Sequence, residues 1–285
     1  MGIFGFAGKR VAVTGSYSGM GRAAVEHLLA DGAEVHALDL RENELAVTSF
    51  QPLDLRDPAA IDQAATKLAR SLDGPLDVLL NCAGLPHSSF TAPDIMQVNF
   101  FGLRRLTEAM LPAMTSGGAI ASIASKAGIN WPEQLDAIQE LLALGDDDAA
   151  GEWFAARPEL AEHAYGFSKA CVIVYTMARA AHLAPRGIRM NAISPGATDT
   201  PMMEHFRKKR TDEQLRKSTG GIGRMSRPEE QALPLLFLAA DAASYVSGVN
   251  LVIDGGALGG FVTGELAPPE VPQYAGVRGG AGIGA

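Results

Sequence analysis

The run from Lys9 to Thr14, followed at once by Gly15-Ser16-Tyr17-Ser18-Gly19-Met20-Gly21, constrains this chain more than any other feature. Lys9-Arg10-Val11-Ala12-Val13-Thr14 reads as a short apolar strand. The helical stretch after the glycines carries Ala24, Leu28 and Leu29 on one face and stops at Asp31-Gly32. Glu34 to Leu40 is a second strand, with Asp39 near its end. The unit is therefore strand, glycine turn, helix, strand, acid. Glycines spaced G-x-x-x-G-x-G let the backbone turn tightly and approach a pyrophosphate, while the free N–H groups of the next helix face the anion. A carboxylate at Asp39 can accept both hydroxyls of an adenosine ribose and would repel a 2′-phosphate, which favours NAD over NADP. The plainer alternatives are a bare βα turn and a solvated strand-end Asp. Arg22 and Arg41 are cations close by.

The alternation continues. Asp57–Leu72 is expected as helix, Leu76–Asn81 as strand, Ala92–Met114 as helix and Ala119–Ala124 as strand. Ala164–Ala184 is expected as a long helix, Ile188–Ile193 as strand, Pro228–Ala240 as helix and Asn250–Asp254 as a last strand. Short apolar strands alternating with helices predict a parallel sheet covered on both faces: a single α/β domain, Rossmann-like and doubly wound, over residues 1–257. Residues 126–163 interrupt the rhythm as an insertion after strand five, and 258–285 read as a Gly/Pro-rich tail.

Composition narrows the partners. The formal net charge of −8 argues against nucleic acid or an anionic membrane as the main partner. Two isolated cysteines and six histidines without paired spacing give neither a disulfide framework nor a metal site. The first residues show no charged leader before an apolar run, and no window approaches about 18 uninterrupted apolar residues. A cytoplasmic protein without a metal is the expectation.

Tyr165-Gly166-Phe167-Ser168-Lys169 sets a phenol and an ammonium at i and i+4 on one helical face. A nearby ammonium favours the phenolate and so lowers the pKa of a tyrosine that would otherwise titrate near 10. Spacing of this kind is common by chance; its place after the fifth strand of a nucleotide-binding pattern gives it meaning.

Taken together, Thr14-Gly15-x-x-x-Gly19-x-Gly21, Asn81-Cys82-Ala83-Gly84, Asn99, Ser125, Tyr165-x-x-x-Lys169 and Pro195-Gly196 resemble the short-chain dehydrogenase/reductase family. The likeness runs from about residue 8 to 257. It implies that Gly15, Ser18, Gly19, Met20 and Gly21 surround the pyrophosphate and adenosine, that Asp39 holds the ribose, and that Asp54-Leu55 contacts adenine. It implies further that Asn81, Ala83 and Gly84 stabilise the sheet centre and line the cofactor. Asn99 would anchor a proton-relay water, and Pro195, Gly196, Thr198 and Thr200 would flank the nicotinamide and its phosphates. Tyr165 would be the acid/base, Lys169 would lower its pKa and bind the nicotinamide ribose, and Ser125 would bond the substrate oxygen. Aligning on Gly128 selects Ser125 over Ser122, whose alternative is a hydroxyl bonded within its strand. A non-catalytic NAD-binding sensor would be expected to lack this set.

The interval from Ser125 to Tyr165 is far longer than the family usually shows, and Asp39 to Asp54 is short for a helix before strand three. These features, with Gly196-Ala197-Thr198-Asp199-Thr200-Pro201, resemble a narrower bacterial group of coniferyl alcohol dehydrogenases and 3α-hydroxysteroid dehydrogenase/carbonyl reductases. The substrate implied is a small apolar alcohol or ketone, and a homo-oligomer, dimer or tetramer, is expected. Trp131, Trp153 and Phe154 either line the pocket or anchor the insertion. Asp146–Asp148 is read as a solvated loop, Lys208-Lys209-Arg210 as a solvated face, and Met202, Met203, His205 and Phe206 as part of a mobile lid. Cys82 and Cys171 are read as buried small residues, and His163 as a helix-start histidine.

Overall fold

The computed structural model describes residues 4–86, 90–207 and 219–267. A seven-stranded parallel sheet forms the centre, in the order β3-β2-β1-β4-β5-β6-β7. Its strands are β1 (Arg10–Thr14), β2 (Glu34–Asp39), β3 (Ser49–Pro52), β4 (Leu76–Asn81), β5 (Met114–Ile123), β6 (Arg189–Pro195) and β7 (Asn250–Ile253). The chain winds outward from β1 to β3, then returns to lay β4 on the other side of β1. That reversal opens a crevice at the carboxyl ends of β1 and β4.

Alternating side chains divide the core in two. Val11 and Val13 of β1, Val78 and Leu80 of β4, and Ala119, Ala121 and Ile123 of β5 pack on the face covered by α1 (Gly19–Ala30) and, near the other edge, the late helix Pro228–Ala239. Ala12, Leu79 and Ile120 point to the opposite face, covered by α2 (Pro58–Ser71), α3 (Ala92–Met96) and α4 (Gly102–Met110) with the long helix Ala164–Leu183. Burial on both faces explains why the strands read as continuous apolar runs. No helix intervenes between β2 and β3, as the short interval predicts.

The expected helix 92–114 is broken. A π-helical turn, Gln97–Phe101, separates α3 from α4, and the helix ends at Met110 because Pro112 cannot continue it. Met114 already belongs to β5. The insertion is wholly built of turns and short helices: α5 (Leu135–Ala143), α6 (Asp147–Ala155) and α7 (Pro158–Ala161), leading into α8 (Ala164–Leu183). Its acidic run is a helix start rather than a loop, with Asp146 and Asp148 exposed and Asp147 turned inward. Asp146 accepts from the Asp148 N–H at the start of α6, and Asp147, largely buried, pairs with Arg104 at 2.6 Å and Arg105 at 3.0 Å. Trp153 and Phe154 both stack on Phe167 of α8, so these aromatics anchor the insertion to the core.

After β6 come α9 (Pro201–Arg207), α10 (Pro228–Ala239), β7 and α11 (Ala257–Thr263). The packed domain thus continues past residue 257, with Phe261 fully buried in a stretch read from sequence as tail. Lys208-Lys209-Arg210, the Phe206 side chain and residues 268–285 lie outside the described residues. Among the described residues, no helix is long and apolar enough to cross a membrane.

Candidate functional site: a cleft at the carboxyl ends of the strands

The crevice between β1 and β4 holds a cavity of about 270 Å³. The glycine turn forms its floor. Gly15 has φ +66°, and a Cβ there would lie 2.6 Å from the Ala83 nitrogen. A Cβ on Gly21 would lie 2.1 Å from the Gly15 carbonyl oxygen, so α1 can start against the turn only with glycine at that position. Thr14 accepts from the N–H groups of Cys82 and Ala83 through its hydroxyl, at 3.1 and 3.3 Å, tying the ends of β1 and β4 together. The helix N-terminus at Gly19 opens into the cavity, with no acidic residue in its first turn to oppose an anion.

Asp39 stands on the cavity wall. Its carboxylate accepts from the Tyr17 N–H at 3.0 Å and the Arg41 N–H at 3.2 Å, which fixes its orientation. Of the two nearby cations, Arg22 is committed to Glu26 and Glu44, while Arg41 stacks over the Tyr17 ring at 4.1 Å. Asp54 also lines the cavity and is clasped by Arg56, whose hydrogen bonds hold its carboxyl below the usual carboxylate range. Leu55, Ser18, Gly19, Met20, Ala83, Gly84 and Thr200 complete the predicted residues that meet there. Sequence reasoning missed Tyr17, Arg56 and Phe90 in the lining, while Arg41, noted as a nearby cation, does line it. The alternating apolar pattern carries no signal for loop side chains of this kind, although the position of Tyr17 within the glycine turn could have drawn attention.

Asn81 is turned into the sheet. Its amide donates to Thr107 at 3.0 Å and Ser122 at 3.2 Å, bracing β4 against α4 and β5 rather than lining the cavity. The Ser122 hydroxyl is thereby taken up by the neighbouring strand β4. Ser125 sits half-buried just past β5, accepting from the Ala127 N–H at 3.1 Å. The turn that follows lies directly on α8: a Cβ on Gly128 would be 2.5 Å from the Ala170 nitrogen, and one on Gly166 would be 3.1 Å from the Ala127 oxygen.

Tyr165 begins α8, half-buried, and Lys169 lies one turn on, almost wholly buried. The Lys169 ammonium donates to the Ile123 carbonyl at 2.8 Å, and burial pushes its pKa down to about 8. Asn99, fully buried in the π-helical turn, accepts from the Leu85 N–H at 2.7 Å and donates to the Leu85 carbonyl and to Ser168. Ser168 in turn donates to the Tyr165 carbonyl at 2.8 Å. The π-turn, the Gly84-Leu85 segment and α8 are therefore joined by one polar chain. Pro195 ends β6, and Gly196 and Thr198 follow it, all three outside the cavity lining; Gly196 packs on Asp254, where a Cβ would meet the Asp254 Cα at 2.8 Å.

Cys82 lines the cavity, yet burial pushes its thiol up to about 12, and burial raises Cys171 as well; neither suits a nucleophile. His163 is exposed at the start of α8. Among the described residues, no group of three or more His, Cys, Asp or Glu could hold a metal ion. The donor set instead fits a dinucleotide: glycine-lined backbone and a helix N-terminus for the pyrophosphate, a fixed carboxylate for a ribose, and a buried ammonium beside a phenol.

Comparison with known proteins agrees. A family model described as short chain dehydrogenase matches residues 9–135, and one described as enoyl-(acyl carrier protein) reductase matches residues 155–257. Coniferyl-alcohol dehydrogenase of Pseudomonas sp. (strain HR199 / DSM 7063) is 31% identical over 256 residues, covering 89% of this chain and 98% of that protein. The 3-alpha-hydroxysteroid dehydrogenase/carbonyl reductase of Comamonas testosteroni is 32% identical over 255 residues, covering 86% and 95%. Among solved structures, the 3-alpha-hydroxysteroid dehydrogenase of Pseudomonas sp. B-0831, complexed with NADH, matches with a TM-score of 0.75 at 29% identity, covering 87% of this chain and 96% of that one. A doubly wound sheet, a glycine turn at its switch point and a Tyr-x-x-x-Lys helix beside it, matched over nearly the whole length of such relatives, place the chain in the short-chain dehydrogenase/reductase family of oxidoreductases.

Proposed function

We propose that this protein is an NAD(H)-dependent alcohol dehydrogenase that interconverts a bulky apolar secondary or allylic alcohol and its carbonyl compound. The observation that carries the reading is Lys169: a buried ammonium one helical turn from Tyr165, held by the last carbonyl of β5 beside the turn that bears Ser125. The nicotinamide, when bound, supplies hydride acceptance or donation. In oxidation, the substrate hydroxyl gives its proton to the Tyr165 phenolate as the carbinol carbon loses hydride and the C=O bond forms. Lys169 stabilises that phenolate more strongly in its buried setting than it would in water. Ser125 already accepts from Ala127, so its own hydrogen is left for the substrate oxygen. Asn99 holds the Leu85 segment and, through Ser168, the backbone of Tyr165. The family resemblance assigns Pro195, Gly196, Thr198 and Thr200 to the nicotinamide end, and of these Thr200 lines the cavity.

The Asp39 carboxylate supports NAD rather than NADP, since a 2′-phosphate would meet a fixed negative charge. An aryl allylic alcohol such as coniferyl alcohol is the favoured substrate class; a 3α-hydroxysteroid is the second reading, supported by the relatives of that name. The experiment is NADH formation from NAD with each alcohol, with NADP and a Tyr165→Phe variant alongside. Turnover of one alcohol with NAD, reduced roughly a hundredfold or more in Tyr165→Phe while NADH still binds, is the expected result. Equal turnover by Tyr165→Phe would remove the proposed acid/base, and no turnover of either alcohol would remove the substrate class.

A further inference from the structure

The C-terminal helix α11 belongs to neither main core. Its buried residues Ala257 and Phe261 form a separate small cluster with Ile129 and Leu266. Ile129 lies four residues past Ser125, directly after the turn that packs on α8. Lys126, the residue next to Ser125, is buried to 5% exposure, and its ammonium lies 5.6 Å from the centre of the Phe261 ring, within cation–π range. The other end of α11 is tied down as firmly. Asp254 accepts from the Gly256 N–H at 3.1 Å and the Leu258 N–H at 2.7 Å, and it is the residue against which Gly196 packs. Past the helix the chain folds back, with the Leu266 N–H donating to the Gly260 carbonyl at 3.0 Å. The helix therefore rests on the segment that leaves β5, and the residue that caps its start, Asp254, lies against the segment that leaves β6.

We infer that α11 is a positioning element of the reactive half of the cleft: held at its start by Asp254, it sets the turn on which Ser125 is carried through Phe261 against Lys126 and Ile129. Phe261 and Lys126 are positioning residues, acting through Ser125. This rests on the function proposed above only for the role of Ser125. Hydrogen bonds within the turn run from Ala127 N–H to the Ser125 hydroxyl, Gly128 N–H to the Ser125 carbonyl and Ile129 N–H to the Lys126 carbonyl. These amides report its order without any substrate.

The test uses the full chain with NADH bound and compares Phe261→Ala with Phe261→Leu, which keeps most of the apolar volume but removes the ring face. Lys126→Met and Lys126→Arg separate the stem from the charge. In Phe261→Ala, amide hydrogen exchange at residues 127–129 should rise about tenfold or more, while exchange at residues 19–22 and NADH affinity stay within about twofold. Phe261→Leu should fall between Phe261→Ala and the parent, and Lys126→Arg should restore what Lys126→Met loosens. With whichever of the two alcohols is turned over, kcat should fall about tenfold in Phe261→Ala, by misplacement of the Ser125 hydroxyl. Unchanged exchange at 127–129, a rise spread evenly through the sheet, or a loosened turn with unaltered kcat would overturn the inference. If neither alcohol is turned over, the proposed function fails by itself, and the exchange pattern still decides whether α11 holds the turn.

Discussion

Asp39 is oriented before any ligand arrives, because the Tyr17 and Arg41 N–H groups each bind one of its oxygens. A ribose diol would then meet a carboxylate that has little orientation left to lose. Removing it leaves the loop donors unpaired and the ribose hydroxyls without a charged acceptor. Asp39→Ser is therefore expected to weaken NAD binding about tenfold or more, since a hydrogen bond to a charged group contributes about 1.5–3 kcal/mol. The same change should shift the NADP-to-NAD ratio of kcat/KM upward, with Arg41 already within the cavity wall. Titrating both cofactors against parent and variant checks this; an unaltered ratio would mean that Asp39 does not read the ribose. At this scale the glycines, Asp39 and the Tyr165/Lys169 pair were legible, because each is a residue type that the local backbone or chemistry demands. Lys126 was not. A lysine beside Ser125 reads the same in sequence whether its ammonium is solvated or lies over a buried ring.

Elements divide along the same line. Helices with a clear apolar face and a stop signal came out within a residue or two: α2 spans Pro58–Ser71 with Asp57 as its cap, and α8 spans Ala164–Leu183. The stretch 92–114 did not, since apolar periodicity cannot distinguish a continuous helix from one interrupted by a π-turn at Asn99. The insertion shows how much depends on contacts between distant elements. Phe154 and Trp153 stack on Phe167, and Asp147 bridges Arg104 and Arg105 of α4. Phe154→Ala should lower the stability of the protein by about 3–5 kcal/mol, the usual cost of deleting a buried phenyl ring. NADH affinity at a temperature where the variant stays folded should be unaltered, because the ring lies against α8 and away from the nucleotide cavity. A denaturant titration with and without NADH checks both, and the KM of whichever alcohol is turned over tests the pocket role; a raised KM with intact stability would return these aromatics to the pocket.

For the whole molecule, the sheet order gathers most of the predicted nucleotide-side residues at the carboxyl ends of the central strands β1 and β4, and the late elements form the opposite side of the sheet. β7 is an edge strand, and Phe237 of α10, Tyr245 and Leu251 are exposed around it. With α8 covered by the insertion, a homodimer through α10 and β7 is expected. Light scattering on the purified protein should return twice the chain mass, and Leu251→Lys should reduce it to one; a parent that is already a monomer would rule the dimer out. By itself, the sequence determined the alternation of strands and helices, the switch-point turn, the acid that ends β2 and the Tyr-x-x-x-Lys pair. All of these are set by local periodicity, backbone freedom and spacing within one element. The tertiary structure alone decided that Asp147 of the acidic run clasps α4 and that residues 257–266 seat on the Ser125 turn. Each of those depends on which side chain meets which across a fold. Burial and pairing between residues far apart in the chain are fixed only when the sheet has brought them together.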